Sequence, residues 1–284
     1  MYQIIFFQFR LALLAITFCI VSANSVYPQN RKIDSLRQVL STAKNEAKAD
    51  IFYELAYEYI IVDVAVASQF AKDSYSVSME MGDSLRMVKA GRLLSSAYRR
   101  SEKLDSAVWI AEKVLAIALR NNFRDELKIL YNSLAIAYSF RAEYDNALDY
   151  HFRSLIARER DGNKSEISIT LNNIGFVYFK LNNYEKALEY YERSLDLKNE
   201  IKDTYDLDRV LINIGLCNIH IRNFDAALES ITDGLSACGG NCTDEIRVEG
   251  EFGLGVANYG LGRSRRRGLR RRTAHGRWDL AYRS

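Results

Sequence analysis

The chain has 284 residues, of which 48% are hydrophobic and only one, Pro28, is proline. A chain of this length and apolar content can bury a large core, which argues against a wholly disordered protein. The near absence of proline favours an all-α fold. The formal net charge is +3, but residues 263–284 hold nine arginines and one acid. The rest is therefore mildly acidic, and no nucleic-acid partner is expected.

The first 23 residues have the pattern of a secretory signal peptide. Arg10 precedes an apolar run over residues 11–21, and Ser22 and Ala23 supply small residues for a cleavage site. We therefore expect an exported protein of the periplasm or cell envelope. The further apolar residues 4–9 leave an alternative open, in which the segment stays uncleaved and anchors the chain in the membrane.

The most informative feature is a repeat of 40 residues. Tyrosines recur at Tyr98, Tyr138 and Tyr178. The alanines that keep the same interval are Ala67, Ala107, Ala147, Ala187 and Ala227. Several coincident series at one interval predict a structural unit of about that length, stacked along the chain.

The fourth period shows why each unit predicts a pair of helices. Its apolar positions, spaced as on one helix face, are Leu171, Ile174, Gly175 and Tyr178 in the first helix and Ala187, Tyr191, Ser194 and Leu195 in the second. Asn182 and Asn183 lie between the two runs and suit a helix stop and restart. The small residues Gly175 and Ala187 would let two antiparallel helices approach closely.

The run Asn173-Ile174-Gly175, with Tyr178 and then Ala187 at the following intervals, closely resembles the tetratricopeptide repeat motif. The resemblance covers residues 47–262 and implies an all-α, right-handed superhelical solenoid of antiparallel helix pairs, with about five hairpins and a partial sixth. The period is 40 rather than 34, and the proline that often closes the motif is absent. Residues 24–46 are expected to form a capping helix before the first pair.

Residues 263–284 break the pattern and are predicted to form an Arg-rich, disordered tail. Gly262 lies where the link of the sixth pair is due, and no second helix is predicted after it. A shift of coding frame or a truncation inside the sixth repeat is the favoured interpretation, because the periodicity breaks within a hairpin. The alternative is a basic arm for nucleic acid or anionic lipid.

The cysteines and motifs predict no catalytic or metal site. Cys19 leaves with the signal, and Cys217 lies in an apolar helical pattern. Cys238 and Cys242 flank a short turn and are predicted to form a disulfide in an exported protein. No H-E-x-x-H, G-x-S-x-G or P-loop pattern occurs in the sequence. We therefore expect no enzyme activity, no cofactor and no bound metal.

The resemblance implies that the first helix of each pair lines a concave groove. Asparagine amides in such a groove can hydrogen-bond a peptide backbone, and basic residues at one end would suit acidic groups. The predicted groove residues are Asn132, Asn172, Asn173, Phe176, Phe179, Lys180 and Asn213, with Arg92, Arg99 and Arg100 at the basic end. A purely structural role for the asparagines remains an equal alternative.

Together these patterns predict a non-catalytic scaffold that binds a protein or peptide in the bacterial cell envelope. The alternative is the truncated sensor region of a membrane signalling protein, of histidine kinase or transcriptional regulator type, that has lost its output domain. Membrane contact is expected only through an uncleaved N-terminus. The incomplete last repeat leaves Phe252 and Leu254 uncovered, which makes self-association through that end a further expectation.

Overall fold

The computed structural model describes residues 31–238 and 242–281, with side chains described as far as residue 262. The predicted signal segment lies outside these residues. Every regular element within the described ranges is a helix, so the predicted all-α fold is confirmed. Among the described residues, no helix is both long and apolar enough to span a membrane.

Twelve helices follow one another in the described ranges. Their bounds are α1 (31–40), α2 (Asn45–Val62), α3 (Val64–Glu80), α4 (Ser84–Arg100), α5 (Leu104–Arg120), α6 (Arg124–Phe140), α7 (Tyr144–Asp161), α8 (Lys164–Lys180), α9 (Tyr184–Ile201), α10 (Leu207–His220), α11 (Phe224–Ala237) and α12 (Asp244–Ala281). The chain divides into two compact units, one ending at Phe140 and the other beginning at Arg141. The pairs α2/α3 and α4/α5 lie in the first unit, and α8/α9 and α10/α11 lie in the second.

The turns between helices repeat one backbone motif. A residue with positive φ occurs every 20 residues, at Gly82, Glu102, Asn122, Ala142, Gly162, Asn182, Lys202 and Arg222. In most of these turns the residue after it donates its N–H back into the last helical turn, as Lys103 does to the Tyr98 carbonyl and Asn183 to the Tyr178 carbonyl, both at 2.9 Å. This is the Schellman arrangement, which satisfies the free carbonyls at the helix end. Within each unit, short turns of this kind make consecutive helices run antiparallel.

Contact within each pair depends on small residues. All five alanines of the 40-residue series have no exposed surface. An added Cβ at Gly175 would lie 2.7 Å from the Tyr191 ring, and one at Gly215 would lie 2.3 Å from the Ile231 side chain. Each glycine on the first helix thus accepts a bulky side chain from the second helix of its pair.

Serines join the paired helices by hydrogen bonds to the backbone. Ser194 on α9 donates to the carbonyl of Ser168 on α8 at 2.7 Å, and Ser74 on α3 donates to the carbonyl of Ala49 on α2 at 2.9 Å. Forty residues after Ser194 the chain has Gly234, whose added Cβ would lie 3.0 Å from the Asp208 carbonyl oxygen. The same close approach therefore recurs with either a hydroxyl or no side chain at all.

Buried cations join one pair to the next. Arg158 at the end of α7 donates to the Glu166 carbonyl at 2.9 Å and to the Thr170 hydroxyl at 2.7 Å, both on α8. Forty residues later, Lys198 at the end of α9 donates to the Tyr205 carbonyl in the loop before α10. Both cations are almost fully buried, so their hydrogen bonds offset the cost of removing them from water.

The predicted disulfide occurs at the position that follows Arg158 and Lys198 at the same 40-residue interval. Cys238 is 40 residues after Lys198, and its sulfur is bonded to that of Cys242 just before α12. A covalent link therefore replaces the buried cation at the last junction. The intervening residues 239–241 lie outside the described part of the chain.

The last helix differs from the sequence expectation. The backbone of α12 is helical through Gly262 and on to Ala281, whereas a link at Gly262 and a disordered tail from residue 263 were predicted. Arginine is a good helix former and the segment has no proline, although its glycines Gly268 and Gly276 disfavour a helix. Upstream, α12 packs on α10 and α11 through Ile246, Gly250, Gly253 and Ala257.

Gly175 offers a direct test of the paired contact. We expect Gly175→Ala to destabilise the protein by about 1–3 kcal/mol, because the new methyl group overlaps the Tyr191 ring. Gly255→Ala is the matched control, since that glycine also lies in a helix but has no atom within 4 Å of an added Cβ. The control should be neutral or stabilising by up to about 1 kcal/mol through helix propensity. Urea unfolding monitored by circular dichroism measures both, and equal effects would contradict the assigned pairing.

His151 makes stability depend on pH. It is buried on α7, at the position that Tyr191 occupies one repeat later, and burial, with a smaller contribution from Arg158, lowers its pKa from the usual 6.5 to about 3. Below pH 6.5 the His151 imidazole is therefore protonated in the unfolded chain but stays neutral in the folded chain. The stabilisation is complete above pH 6.5 and is lost as the pH falls toward 3.

The variant His151→Phe should remove this dependence. Between pH 6.5 and 5 the parent should lose about 2 kcal/mol more stability than the variant, at 1.36 kcal/mol per pKa unit. Urea unfolding at the two pH values measures the difference. Parallel profiles for the parent and His151→Phe would show that His151 is not the group responsible.

Candidate peptide-binding face

The candidate site is a stripe along α8 in the second unit. Asn172, Phe176 and Lys180 are spaced four residues apart and therefore lie on one side of the helix. Phe176 is 38% exposed, and the Lys180 ammonium lies 5.1 Å from the centroid of its ring. This places a flat apolar surface and an exposed cation next to each other.

Two asparagines connect this stripe to the next first helix. The Asn213 Nδ2 on α10 donates to the Asn172 Oδ1 on α8, with 3.4 Å between the two atoms. A bond of this length is weak and exchanges readily for another partner. Within the described part of the chain, the Asn172 amide nitrogen and the Asn213 carbonyl oxygen make no other hydrogen bond to protein. The pair therefore presents one donor and one acceptor beside Phe176.

The remaining predicted residues of the second unit are less available. Asn173 is half-buried and already interacts with another group of the chain, as does Asn132 in the first unit. Phe179 packs edge-on against Tyr184 and His220, each at 5.4 Å between ring centroids. These contacts make Phe179 part of an aromatic cluster that joins α8, α9 and α10.

In the first unit the three residues of the predicted basic end have different surroundings. Arg92 donates to the Tyr53 hydroxyl at 3.2 Å and lies 3.6 Å from a carboxylate oxygen of Glu126, which is nearly buried. Arg99 lies over the Phe140 ring at 5.2 Å, and burial, then the charge of Arg100, lowers its pKa. Arg100 is exposed. Sequence reasoning missed Glu126, although Glu166 recurs 40 residues later beside Arg158 at 3.4 Å.

A pocket that the sequence analysis did not predict lies elsewhere in the second unit. It has a volume of about 400 Å³ and is bounded by the end of α7, the start of α8 and the last turns of α9. Ile167, Leu171 and Leu197 supply its apolar part, and Lys164 and Arg193 are among the charged residues at its rim. Two acids, Glu159 and Asp196, balance these two bases, so the pocket shows no preference for one sign of charge.

Among the described residues, no group of three or more histidines, cysteines and acids is arranged to hold a metal ion. Burial raises the pKa of the Cys217 thiol to about 12, which keeps it un-ionised at neutral pH. His151 is buried, and His220 stacks on Tyr184 with 4.0 Å between ring centroids. The polar groups of the face are therefore suited to recognition by hydrogen bonds and charge.

Paired helices at a 40-residue interval, with first-helix side chains aligned on one face, define a helical-hairpin repeat protein. Residues 166–238 and 130–165 match models of the tetratricopeptide repeat. The chain therefore carries tetratricopeptide repeats. A comparison with the sequences of curated proteins gives no match.

Solved structures share this fold at low sequence identity. One is BtubC (BKLC) from P. vanneervenii, at 18% identity and a TM-score of 0.63, covering 75% of this chain and 89% of that one. Another is a signal transduction ATPase with numerous domains from Pyrococcus horikoshii, which has a tetratricopeptide repeat sensor. It is 17% identical with a TM-score of 0.67, and the match covers 83% of this chain and 38% of that one. A third is a Rap protein complexed with competence and sporulation factor, at 14% identity and a TM-score of 0.59, covering 84% of this chain and 73% of that one. At these identities the likeness shows the fold alone.

Proposed function

We propose that the protein binds a peptide segment of a partner protein on the face formed by α8 and α10. A protein-interaction scaffold is what tetratricopeptide repeats and the similar structures support. The observation that carries the finer proposal is the alignment of Asn172, Phe176 and Lys180 on α8 with the Asn213 amide beside them. These four residues combine hydrogen-bonding, apolar and cationic groups within a few turns of helix.

The chemistry of this face indicates the kind of peptide it binds. A peptide backbone presents a donor and an acceptor in each residue, and Asn172 and Asn213 offer one of each in return. Phe176 supplies an apolar contact for a side chain of the ligand. Lys180 is an exposed ammonium that attracts a carboxylate. The ligand is therefore an extended or helical segment with an acidic residue next to an apolar one.

Binding without covalent chemistry is part of the proposal. Among its described residues the face holds no nucleophile paired with a base, and its amides and ammonium act through hydrogen bonds and charge. Among the similar structures, the Rap protein is complexed with competence and sporulation factor, which supports ligand binding on this fold.

The cell envelope is the proposed location. The apolar segment with its small-residue cleavage site supports export, and the bond between Cys238 and Cys242 suits an oxidising compartment. The alternative function, a sensor region of a signalling protein, is supported by the sensor role in the name of the similar ATPase. The two readings share the same binding face and differ in what the bound peptide controls.

The binding face can be tested with peptides selected on the full chain from a displayed random library. A selected peptide should bind Lys180→Ala and the double variant Asn172→Ala/Asn213→Ala on the order of tenfold more weakly than the parent, because each removes a direct polar contact. Lys113→Ala is the matched control, since Lys113 lies over Trp109 at 5.0 Å in the first unit but outside the face. Calorimetric titration measures each affinity.

The selected sequences themselves give a second readout. Acidic residues should be enriched among them, and binding should weaken as salt is added, because the Lys180 contact is exposed and screened. Selected peptides that bind the α8 variants as tightly as they bind the parent and the control would contradict the proposed site.

The proposed location predicts that Cys238 and Cys242 are oxidised in cells. Cells are treated with acid to stop thiol exchange and then with a maleimide that adds mass to free thiols. The buried Cys217 labels after denaturation and serves as the internal reference for one free thiol. Labelling of Cys217 without Cys238 and Cys242 is expected, and full labelling of all three would contradict an oxidising compartment.

A further inference from the structure

An apolar stripe on α12 is largely exposed in the described part of the chain. Val248, Phe252 and Tyr259 are 62%, 71% and 66% exposed. With Gly255 they follow the spacing i, i+4, i+7, i+11, which places all four on one side of the helix. Gly255 is exposed, and an added Cβ there would meet no atom within 4 Å.

The repeat shows what normally covers this side of a first helix. Gly175 and Gly215 stand 80 and 40 residues before Gly255, and they are covered by Tyr191 and Ile231 from the second helix of their pairs. Ser168 stands 80 residues before Val248, is fully buried, and receives the hydrogen bond from α9. The stripe is thus the side that a paired second helix covers elsewhere. The backbone after residue 262 continues α12 to Ala281 and does not fold back over it.

The opposite side of α12 is firmly packed. Added Cβ atoms at Gly253 and Gly260 would lie 2.8 Å from Ile231 and 2.4 Å from Phe224. Ala257 between them is completely buried. This packing fixes the rotation of the helix, so the stripe is held outward by the same contacts that dock α12 on α10 and α11.

We propose that this stripe docks a helix of a partner protein that has the pattern of this chain's own second helices. In the fourth pair that pattern is a small residue, a bulky one four positions later, and a small one three after that, namely Ala187, Tyr191 and Ser194. The bulky side chain packs over Gly255 as Tyr191 packs over Gly175. Phe252 and Tyr259 flank it with apolar surface. The site continues an interface that the protein already uses within each pair.

The probe is a capped synthetic peptide of residues 184–201, the second helix that covers Gly175, labelled with a fluorophore and titrated with the full chain. Saturable binding is expected. The variant Gly255→Leu should weaken it at least tenfold, because the leucine side chain fills the place of the Tyr191 ring. A peptide carrying Tyr191→Ala should lose affinity to a similar degree. Gly255 is exposed, so circular dichroism should show an unchanged fold.

A control variant separates this site from the proposed peptide face. Lys180→Ala should leave the affinity for the probe unchanged, so either site can fail without the other.

Equal affinity of the probe for the parent and for Gly255→Leu would overturn the proposal. So would an affinity that does not change when Tyr191 of the probe is replaced. Sedimentation velocity gives a third outcome. A dimer of the chain that disappears in Gly255→Leu and excludes the probe would overturn the partner helix in favour of a second copy.

Discussion

The structure depends on the close approach of two helices at positions where one of them has almost no side chain. Gly175 and Gly215 allow Tyr191 and Ile231 to lie directly on a helix backbone. The five alanines of the 40-residue series are fully buried between the paired helices. Such contacts maximise dispersion because few voids remain. Any enlargement on the glycine side must move an aromatic ring or the backbone. The paired contact therefore determines which residues the repeat accepts.

This contact also determines where the binding residues lie. Because each pair closes in the same register, residues about 40 apart in sequence lie side by side on neighbouring first helices. Asn172 and Asn213 are 41 apart and join α8 to α10 through their amides. The hydrogen bonds and apolar groups needed for recognition thus sit on rigid helices rather than on loops, which lowers the entropy lost when a ligand binds. Junctions between pairs vary more, from the buried Lys198 to the Cys238–Cys242 bond.

The periodic features could be predicted from the sequence because burial at one place repeats at the next. Alanines, glycines and tyrosines recur at the 40-residue interval, and the structure confirms the helix pairs that this interval indicated. The turns could not be predicted in the same way. Glu102, Ala142, Lys202 and Arg222 adopt positive φ without the glycine or asparagine that usually marks it, because helix pairing on both sides imposes the conformation. Partners of long side chains were equally hidden, because Glu126 and Glu166 keep the 40-residue interval while their partners Arg92 and Arg158 do not.

The last helix follows from the same physical rule. A first helix in this repeat has two apolar sides, one for the preceding pair and one for its own second helix. In α12 the side that faces the preceding pair is packed through Gly253 and Ala257. On the other side Phe252 and Tyr259 are largely exposed. At about 25 cal/mol per Å² of apolar area, exposed aromatic side chains represent binding free energy that a suitably shaped helix can recover. The second helices of this chain already pack on the same side of a first helix. Their residue pattern therefore indicates the kind of partner helix that would fit α12.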